Sequence, residues 1–151
     1  MSSRCILGFD FGTKYIGVAV GHPETGMAQP LTCVRARDGR PDWPHLERLI
    51  REWRPDRLVV GLPHNMDGSD THVTVAARRF GDRLRARYNL PLEMVDERLT
   101  TRAARSALES SIDRAGARIS RDPSRNPGAL NQLAAQVILQ AFLDDMPKDK
   151  T

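Results

Sequence analysis

The sequence predicts an α/β fold built on a mixed five-stranded sheet, with strands one to three antiparallel, strands four and five added in parallel, and helices flanking the sheet. Three observations carry that expectation. A β-rich hairpin opens the chain, an unalternating apolar run "RLVVGLP" follows later, and segments of helical periodicity separate the later strands. Unalternating strands are buried on both faces of partly parallel sheets, and strand–helix–strand order gives right-handed crossovers.

In chain order, Cys5 to Asp10 and Ile16 to Val20 read as two strands joined by the short Phe11–Tyr15 turn. A third extended run, about Ala28 to Val34, follows the turn His22-Pro23-Glu24-Thr25-Gly26. Trp43, Leu46, Leu49, Ile50 and Trp53 recur at helical spacing, with Pro55 beyond the end. "RLVVGLP" is the fourth strand, and "NMDGSD" turns the chain into a helix from about Thr71 to Arg87. Leu92 to Val95 is the fifth strand, a shorter helix follows Thr100, and a last helix fills the carboxyl end. Ser110 to Pro127, rich in Ser, Arg, Gly and Pro, lacks a sustained apolar period and predicts a mobile basic loop. The expected organisation is one domain over residues 1–146 with a tail at 147–151.

A chain of 151 residues with 40% hydrophobic and 28% charged residues can bury a substantial core. Gly8, Asp10, Gly12 and Lys14 interrupt the only early apolar run, and no stretch approaches the ~18 apolar residues of a membrane span. A cytoplasmic protein with no membrane partner is therefore expected. The two cysteines, Cys5 and Cys33, lie in strand-like runs and read as small buried hydrophobes with reduced thiols. A net charge of +4, dominated by arginine, points to a polyanionic partner such as nucleic acid, although any single arginine also serves simply to solvate a helix face.

Asp10 is the anomaly in the first strand. Alternation places Ile6, Gly8 and Asp10 on one face and Leu7, Phe9 and Phe11 on the other, with Asp10 at the carboxyl end. One reading is a carboxylate that hydrogen-bonds the Gly12-Thr13 turn. The other needs a second acid, which "VDERLTT" supplies: Asp96 and Glu97 follow the fifth strand directly and point to opposite sides, so at most one can readily join Asp10. The carboxyl ends of parallel strands are where open α/β sheets bind ligands. Two carboxylates converging there in a basic protein suggest magnesium or manganese, and paired ions can activate water and stabilise a leaving oxygen in phosphodiester hydrolysis. Phosphatases and kinases also carry acids at strand ends.

The stretches "GFDFGTKYIGVAV", "VVGLPHNMDGS", "FGDRLRARYNLPL" and "DERLTTRAA", in this order over most of the chain, resemble the YqgF/RuvX family of the RNase H-like superfamily, described as Holliday junction resolvases and as pre-16S rRNA 5′-end nucleases. The resemblance implies an RNase H-like fold, a divalent-metal site (Mg2+ or Mn2+) and a triad of acids. Asp10 matches the acid of the first strand and Glu97 the glutamate of D-E-R-x-T-T. The third, an aspartate in a V-D-x-x-A-A pattern early in the last helix, falls on Asn131 when Ala134 and Ala135 are aligned with that pattern. Between Asp122 and Asp144 there is no acid, and Asp144 lies about 20 Å along the helix from Asn131. Asp122 is the one nearby stand-in.

Asn126-Pro127 reads as the cap and first residue of that helix, and Leu130, Leu133, Ala134, Val137, Ile138 and Ala141 as its buried stripe. Asn131 then sits inside the helix, where asparagine has poor propensity, close enough for its amide oxygen to serve as a third ligand. Its neutrality removes one charge. At ~4 Å and an effective dielectric of ~20 that charge is worth up to ~4 kcal/mol toward a monovalent ion before desolvation, so weakened ion binding and cleavage are expected.

Around these residues, Lys14, Arg98, Arg118, Arg121 and Arg125 are the candidates for phosphate contact, with solvation or, for Arg98, pairing with Asp96 as the plainer roles. "GLPHNMDGSD" reads equally as a phosphate-receiving helix start or as an Asp67-Gly68 turn capped by Ser69 or Asp70. His64 and His72 read as surface histidines. The expected function is 5′-end processing of pre-16S rRNA, with resolution of branched DNA, or RNA binding with weakened catalysis, as alternatives, and with a monomer or homodimer as the assembly. "GFDFGTKYIGVAV" is also similar to the phosphate motif of actin-like ATPases, which need two such domains and hence a longer chain.

Overall fold

A computed structural model describes residues 4–65, 67–97 and 128–146. The short helix expected after Thr100, the basic loop over 110–127 and the Asn126-Pro127 helix start lie outside the described residues. So do Arg98, Arg118, Arg121, Asp122 and Arg125.

Six strands form one sheet rather than the five expected: β1 (Ile6–Asp10), β2 (Tyr15–His22), β3 (Met27–Arg37), β4 (Arg40–Pro41), β5 (Arg57–Leu62) and β6 (Leu92–Asp96), in the order β4-β3-β2-β1-β5-β6. The sixth strand is the two-residue β4, which folds back on the end of β3. Its turn uses Asp38 and Gly39 at positive φ, a conformation that Gly adopts without penalty and Asp tolerates better than most side chains. As expected, β1 to β3 are antiparallel, while β5 and β6 run parallel to β1. The carboxyl ends of β1, β5 and β6 therefore share one edge.

Helix α1 (Trp43–Trp53) starts at an Asp42 cap that accepts from the His45 N–H and has Pro44 in its first turn. Helix α2 (His72–Tyr88) is capped by Thr71, in a reciprocal box with Thr74, and not by Ser69 or Asp70. Those two residues are engaged elsewhere: Ser69 bonds Asp67 across the Asp67-Gly68 turn, and Asp70 meets Arg78. Helix α3 (Ala129–Asp145) begins after Gly128, which caps it without a side-chain bond. Among the described residues no helix is long and apolar enough to cross a membrane.

The sheet has two unlike cores. On one face Leu7, Phe9, Ile16, Val18, Val34, Leu58 and Val60 pack under α1 and α2, with Phe9 and Phe80 edge to face at 5.7 Å. Cys5 belongs to this face, where burial pushes its thiol pKa up, with Asp56 adding to the effect. On the other face Ile6, Ala19, Ala28 and Val59 meet Ala135, Ile138, Leu139 and Leu143 of α3. The buried stripe of α3 shares Leu133, Val137 and Ile138 with the one expected, while Ala134 and Ala141 are half-buried. Leu130 is 67% exposed, whereas Ala135, Leu139 and Leu143 are buried. Cys33 is half-buried, in contrast to buried Cys5.

Candidate active site

Asp10 ends β1, pairing with Gly17 of β2 on one side and Gly61 of β5 on the other. Paired residues share a face, so both missing side chains lie on the side to which Asp10 points, the α3 side. The glycines clear ground on either flank of the carboxylate, and each clearing is filled by a different element.

Over Gly17 lies the first turn of α3. A Cβ there would run into the Asn131 carbonyl and stand 2.7 Å from the Gln132 nitrogen. The same row continues to Cys33, the partner of Gly17 on β3, against whose sulfur Gly128 packs without a Cβ. The helix is fixed further along by two glutamines one turn apart. Gln136 donates to the Ala28 carbonyl at 3.1 Å, and Gln140 donates to the Gly26 carbonyl at 2.7 Å while accepting from the Ala28 N–H at 3.0 Å. Asn131 is thereby held beside Asp10. Its Nδ2 donates to Asp10 Oδ2 at 3.2 Å and to the Tyr15 carbonyl at 3.3 Å.

Over Gly61 lies Glu97. A Cβ on Gly61 would meet Glu97 Oε1 at 2.8 Å and Cγ at 3.2 Å, and Oε1 is shielded from solvent. Glu97 follows β6, two strands from β1, and its side chain reaches back over β5, so its carboxylate and that of Asp10 stand over neighbouring strands on the same face. Asp96 points the other way, as alternation requires. Its Oδ1 lies 3.3 Å from His64 Nδ1, whose Nε2 lies 3.3 Å from Asp70 Oδ1. Asp70 in turn takes a 2.9 Å bond from Arg78, and this bond holds its carboxyl below the usual range.

The structure thus brings Asp10, Glu97 and Asn131 together. The Asn131 amide turns its N–H toward Asp10. Both nearby acceptors lie on that side, and turning the amide over would set oxygen against two oxygens. The expectation for His64 is corrected, since its side chain is 12% exposed and bridges two carboxylates instead of facing solvent. Lys14 is exposed in the turn after β1. The arginines of α2 do not converge on Asp10: Arg78 meets Asp70, Arg85 bonds the Leu92 carbonyl, and Arg87 stacks on Trp43 with its guanidinium carbon 4.2 Å from the ring centre.

The features that sequence reasoning missed are Gly17, Gly61, Gln136 and Gln140. The two glutamines could have been noticed from their i, i+4 spacing on an otherwise apolar helix. The glycines carried no local signal, because their role lies in what crosses above them.

Two carboxylates on a half-buried sheet edge, one of them held by the Asn131 amide, form a hard, anionic oxygen site suited to a cation or to holding a water molecule. Residues 4–145 match the family model described as RuvX, Holliday junction resolvase. A protein of Aeromonas salmonicida, provisionally named as a pre-16S rRNA nuclease, is 48% identical over 145 residues, covering 96% of this chain and 98% of the relative. One from Nitrosococcus oceani with the same name is 50% identical over 142 residues, covering 94% and 88%. Among solved structures, Thermus thermophilus RuvC superposes with a TM-score of 0.57, and the same protein with a Holliday junction substrate with 0.55. Each is 14% identical and covers 96% of this chain and 98% of the other. These likenesses are of fold.

Proposed function

The chain belongs to the RuvX family, and from that premise we propose that it is a divalent-metal-dependent nuclease that processes the 5′ end of precursor 16S ribosomal RNA. The convergence of Asp10 and Glu97 over Gly61 carries the reading. The relatives named for that substrate, matched over nearly their whole length, support the choice of RNA. Work on ribosomal precursors implies a cytoplasmic location.

The residues present fit a hard cation. Gly61 leaves open a cradle that Glu97 Oε1 enters, and the donors are carboxylate oxygens of the kind magnesium and manganese prefer. Asp10 and Glu97 would hold the ion. When bound, it supplies activation of the attacking water and neutralisation of the leaving oxygen. Asn131 fixes the Asp10 carboxylate through its Nδ2 donor, so Asp10 keeps one orientation while substrate exchanges. Lys14 contacts backbone phosphate from the exposed turn beside Asp10, and Arg98, Arg118, Arg121 and Arg125 supply further phosphate contacts. With two carboxylates where the family pattern has three, ion affinity and turnover fall below those of a three-acid site.

A second reading, cleavage of four-way DNA junctions, is favoured by the description of the family model. One experiment tests both. The purified protein is incubated with magnesium or manganese and either a 5′-extended 16S precursor or a four-way junction, with Asp10→Asn as control. Cleavage of the precursor by the wild-type chain alone is expected. Cleavage of the junction alone would transfer the assignment to the second reading, and cleavage of neither would remove the enzymatic one.

A further inference from the structure

We propose that the edge of the sheet beyond Asp10, on its β3 and β4 side, is a track for the phosphate backbone of the RNA, with Arg35, Arg37 and Arg40 as its contacts. The inference rests on the nuclease reading above and names where the substrate lies outside the reacting centre.

Register sets these arginines on the face of Asp10. Asp10 pairs with Gly17, Gly17 with Cys33 and Tyr15 with Arg35, and the side chains of paired residues share a face. Two residues on comes Arg37, which pairs with Arg40 of β4. The residues between them turn the other way, Val34 lying in the core under α1 and α2 and Ala36 packing against it. The backbone of Arg35 therefore stands two strand spacings, about 10 Å, across the sheet from that of Asp10 and about 7 Å further toward the edge, with Arg37 and Arg40 beyond it.

The arginines are tied to the turn that follows Asp10. The Ala36 N–H donates to the Lys14 carbonyl at 2.8 Å and the Gly39 N–H to the Thr13 carbonyl at 3.0 Å, while the Asp42 N–H donates to the Arg35 carbonyl at 3.0 Å. The turn carrying Lys14 and the hairpin carrying the arginines thus form one piece. Phosphates seated on the hairpin are held at a set distance from Asp10.

Charge leads to the same conclusion. Lys14, Arg35, Arg37 and Arg40 are all exposed, and among the described residues none of them forms an ion pair, whereas Arg51, Arg78 and Arg85 meet Glu47, Asp70 and Asp82. Arg37 and Arg40 instead face each other as cross-strand partners, a pairing of like charges that costs stability. Asp38, held at positive φ in the turn between them, forms no ion pair with either. A bound phosphate relieves that repulsion, and the planar fork of guanidinium donors matches its oxygens.

The test separates binding from cleavage. Fluorescence anisotropy of a labelled 5′-extended 16S precursor fragment, titrated with the full chain in EDTA over a salt series, gives the affinity and its salt dependence. Combining Arg35→Gln, Arg37→Gln and Arg40→Gln should weaken binding at least about tenfold near ~0.1 M salt and lower the slope of log affinity against log salt by about 2, from three contacts at ~0.7 each. Combining Arg48→Gln, Arg79→Gln and Arg83→Gln removes the same charge from exposed positions on α1 and α2, over the opposite face, and should change neither. Equal losses in the two triple variants would overturn the inference, since net charge alone would then account for binding, and so would an unchanged slope in the first. With magnesium, the first variant should show a raised KM and an unaltered kcat, because none of its three arginines reaches the reacting phosphate. A wild-type chain that binds as expected and does not cleave would remove the nuclease reading and leave the track, whereas a wild-type chain that cleaves while both variants keep its slope would do the reverse. Arg40→Gln alone, on the exposed end of β4, should lower the slope by about 0.7, and an unchanged slope there would overturn the inference even where the triple variant fails to fold.

Discussion

The two faces of the sheet are built by contrasting rules. Under α1 and α2 the strands offer Leu7, Phe9, Ile16, Val18 and Val60, large side chains that fill space and exclude water. Under α3 the same strands offer Gly17 and Gly61 beside Asp10, where the helix backbone and the Glu97 carboxylate come down almost onto the sheet, and Gly8 and Gly21 farther along, under Leu139 and Leu143. The first face secures the fold by bulk. The second gives up apolar volume to bring polar groups within reach of one another, and it recovers attachment through the Gln136 and Gln140 bonds to strand backbone. The α3 face keeps its own apolar core at Ile6, Val59, Ile138 and Leu139 and turns to chemistry only at the Asp10 end of β1.

The largest effect separating the faces should come from Phe9→Ala. Phe9 is fully buried and packs against Phe80, so truncation should cost about 3–5 kcal/mol of unfolding free energy. Urea denaturation measures it. The metal-free state should lose the same stability as the metal-bound one, because Phe9 points away from Asp10. Equal loss in a mutant of the α3 face alone would contradict the division.

Gly17→Ala should come next, with a different signature. The added methyl meets the Asn131 carbonyl, a backbone group that moves only with the helix, so the cost should reach about 1–3 kcal/mol or more. Cleavage should fall further than stability explains, since Asn131 and Asp10 part as α3 shifts. Comparing melting temperature with single-turnover rate at a temperature where the variant is fully folded distinguishes the two effects.

Gly61→Ala sharpens the contrast further. Its methyl would meet Ile138 Cδ1 and the Glu97 carboxylate, both ends of flexible side chains, so the stability cost should lie near the low end, about 1 kcal/mol. Displacing Glu97 is more serious for chemistry, where a shift of about 1 Å can cost ~10²-fold. A large drop in cleavage with little change in melting temperature is the expected outcome. Unchanged cleavage would mean that Glu97 does not act from over Gly61.

Much of this arrangement was legible in the chain itself. Period-2 alternation put Asp10 and Leu7 on opposite faces and sent Asp96 and Glu97 in opposite directions, and both hold in the structure. Helical spacing found α1 and α2 nearly to their ends. What failed was information carried by contact between distant segments. Leu130 looks like the first residue of an apolar stripe, yet the approach allowed by Gly17 and Gly128 turns the helix so that Ala135 and Leu139 face the sheet. His64 looks like a loop histidine until the end of β6 brings Asp96 to it. The two-residue β4 is too short to have a period. In Asn131 the residue type was readable and its hydrogen-bond polarity was not, because that depends on which acceptors surround it.

The smallest expected effect lies on the far side of the sheet edge, at Asp70 and Arg78. The Arg78 hydrogen bond is the main cause holding the Asp70 carboxyl below its ordinary value, with the Arg78 and His64 charges contributing in the same direction. A carboxyl lowered in the folded chain stabilises it above the unfolded value of about 3.9, and this contribution is lost as pH falls through the lower folded value. Arg78→Gln should therefore melt slightly below wild type at neutral pH, and the two should converge in the acid range below about pH 4. Both groups reach solvent, so added salt should shrink the neutral-pH difference as well. Cleavage should not change, because the chain from Arg78 through Asp70 and His64 ends on Asp96, which points away from Asp10. A fall in cleavage without a fall in melting temperature would show instead that this chain, through Asp96, helps to position Glu97, and that the two faces are coupled at the end of β6.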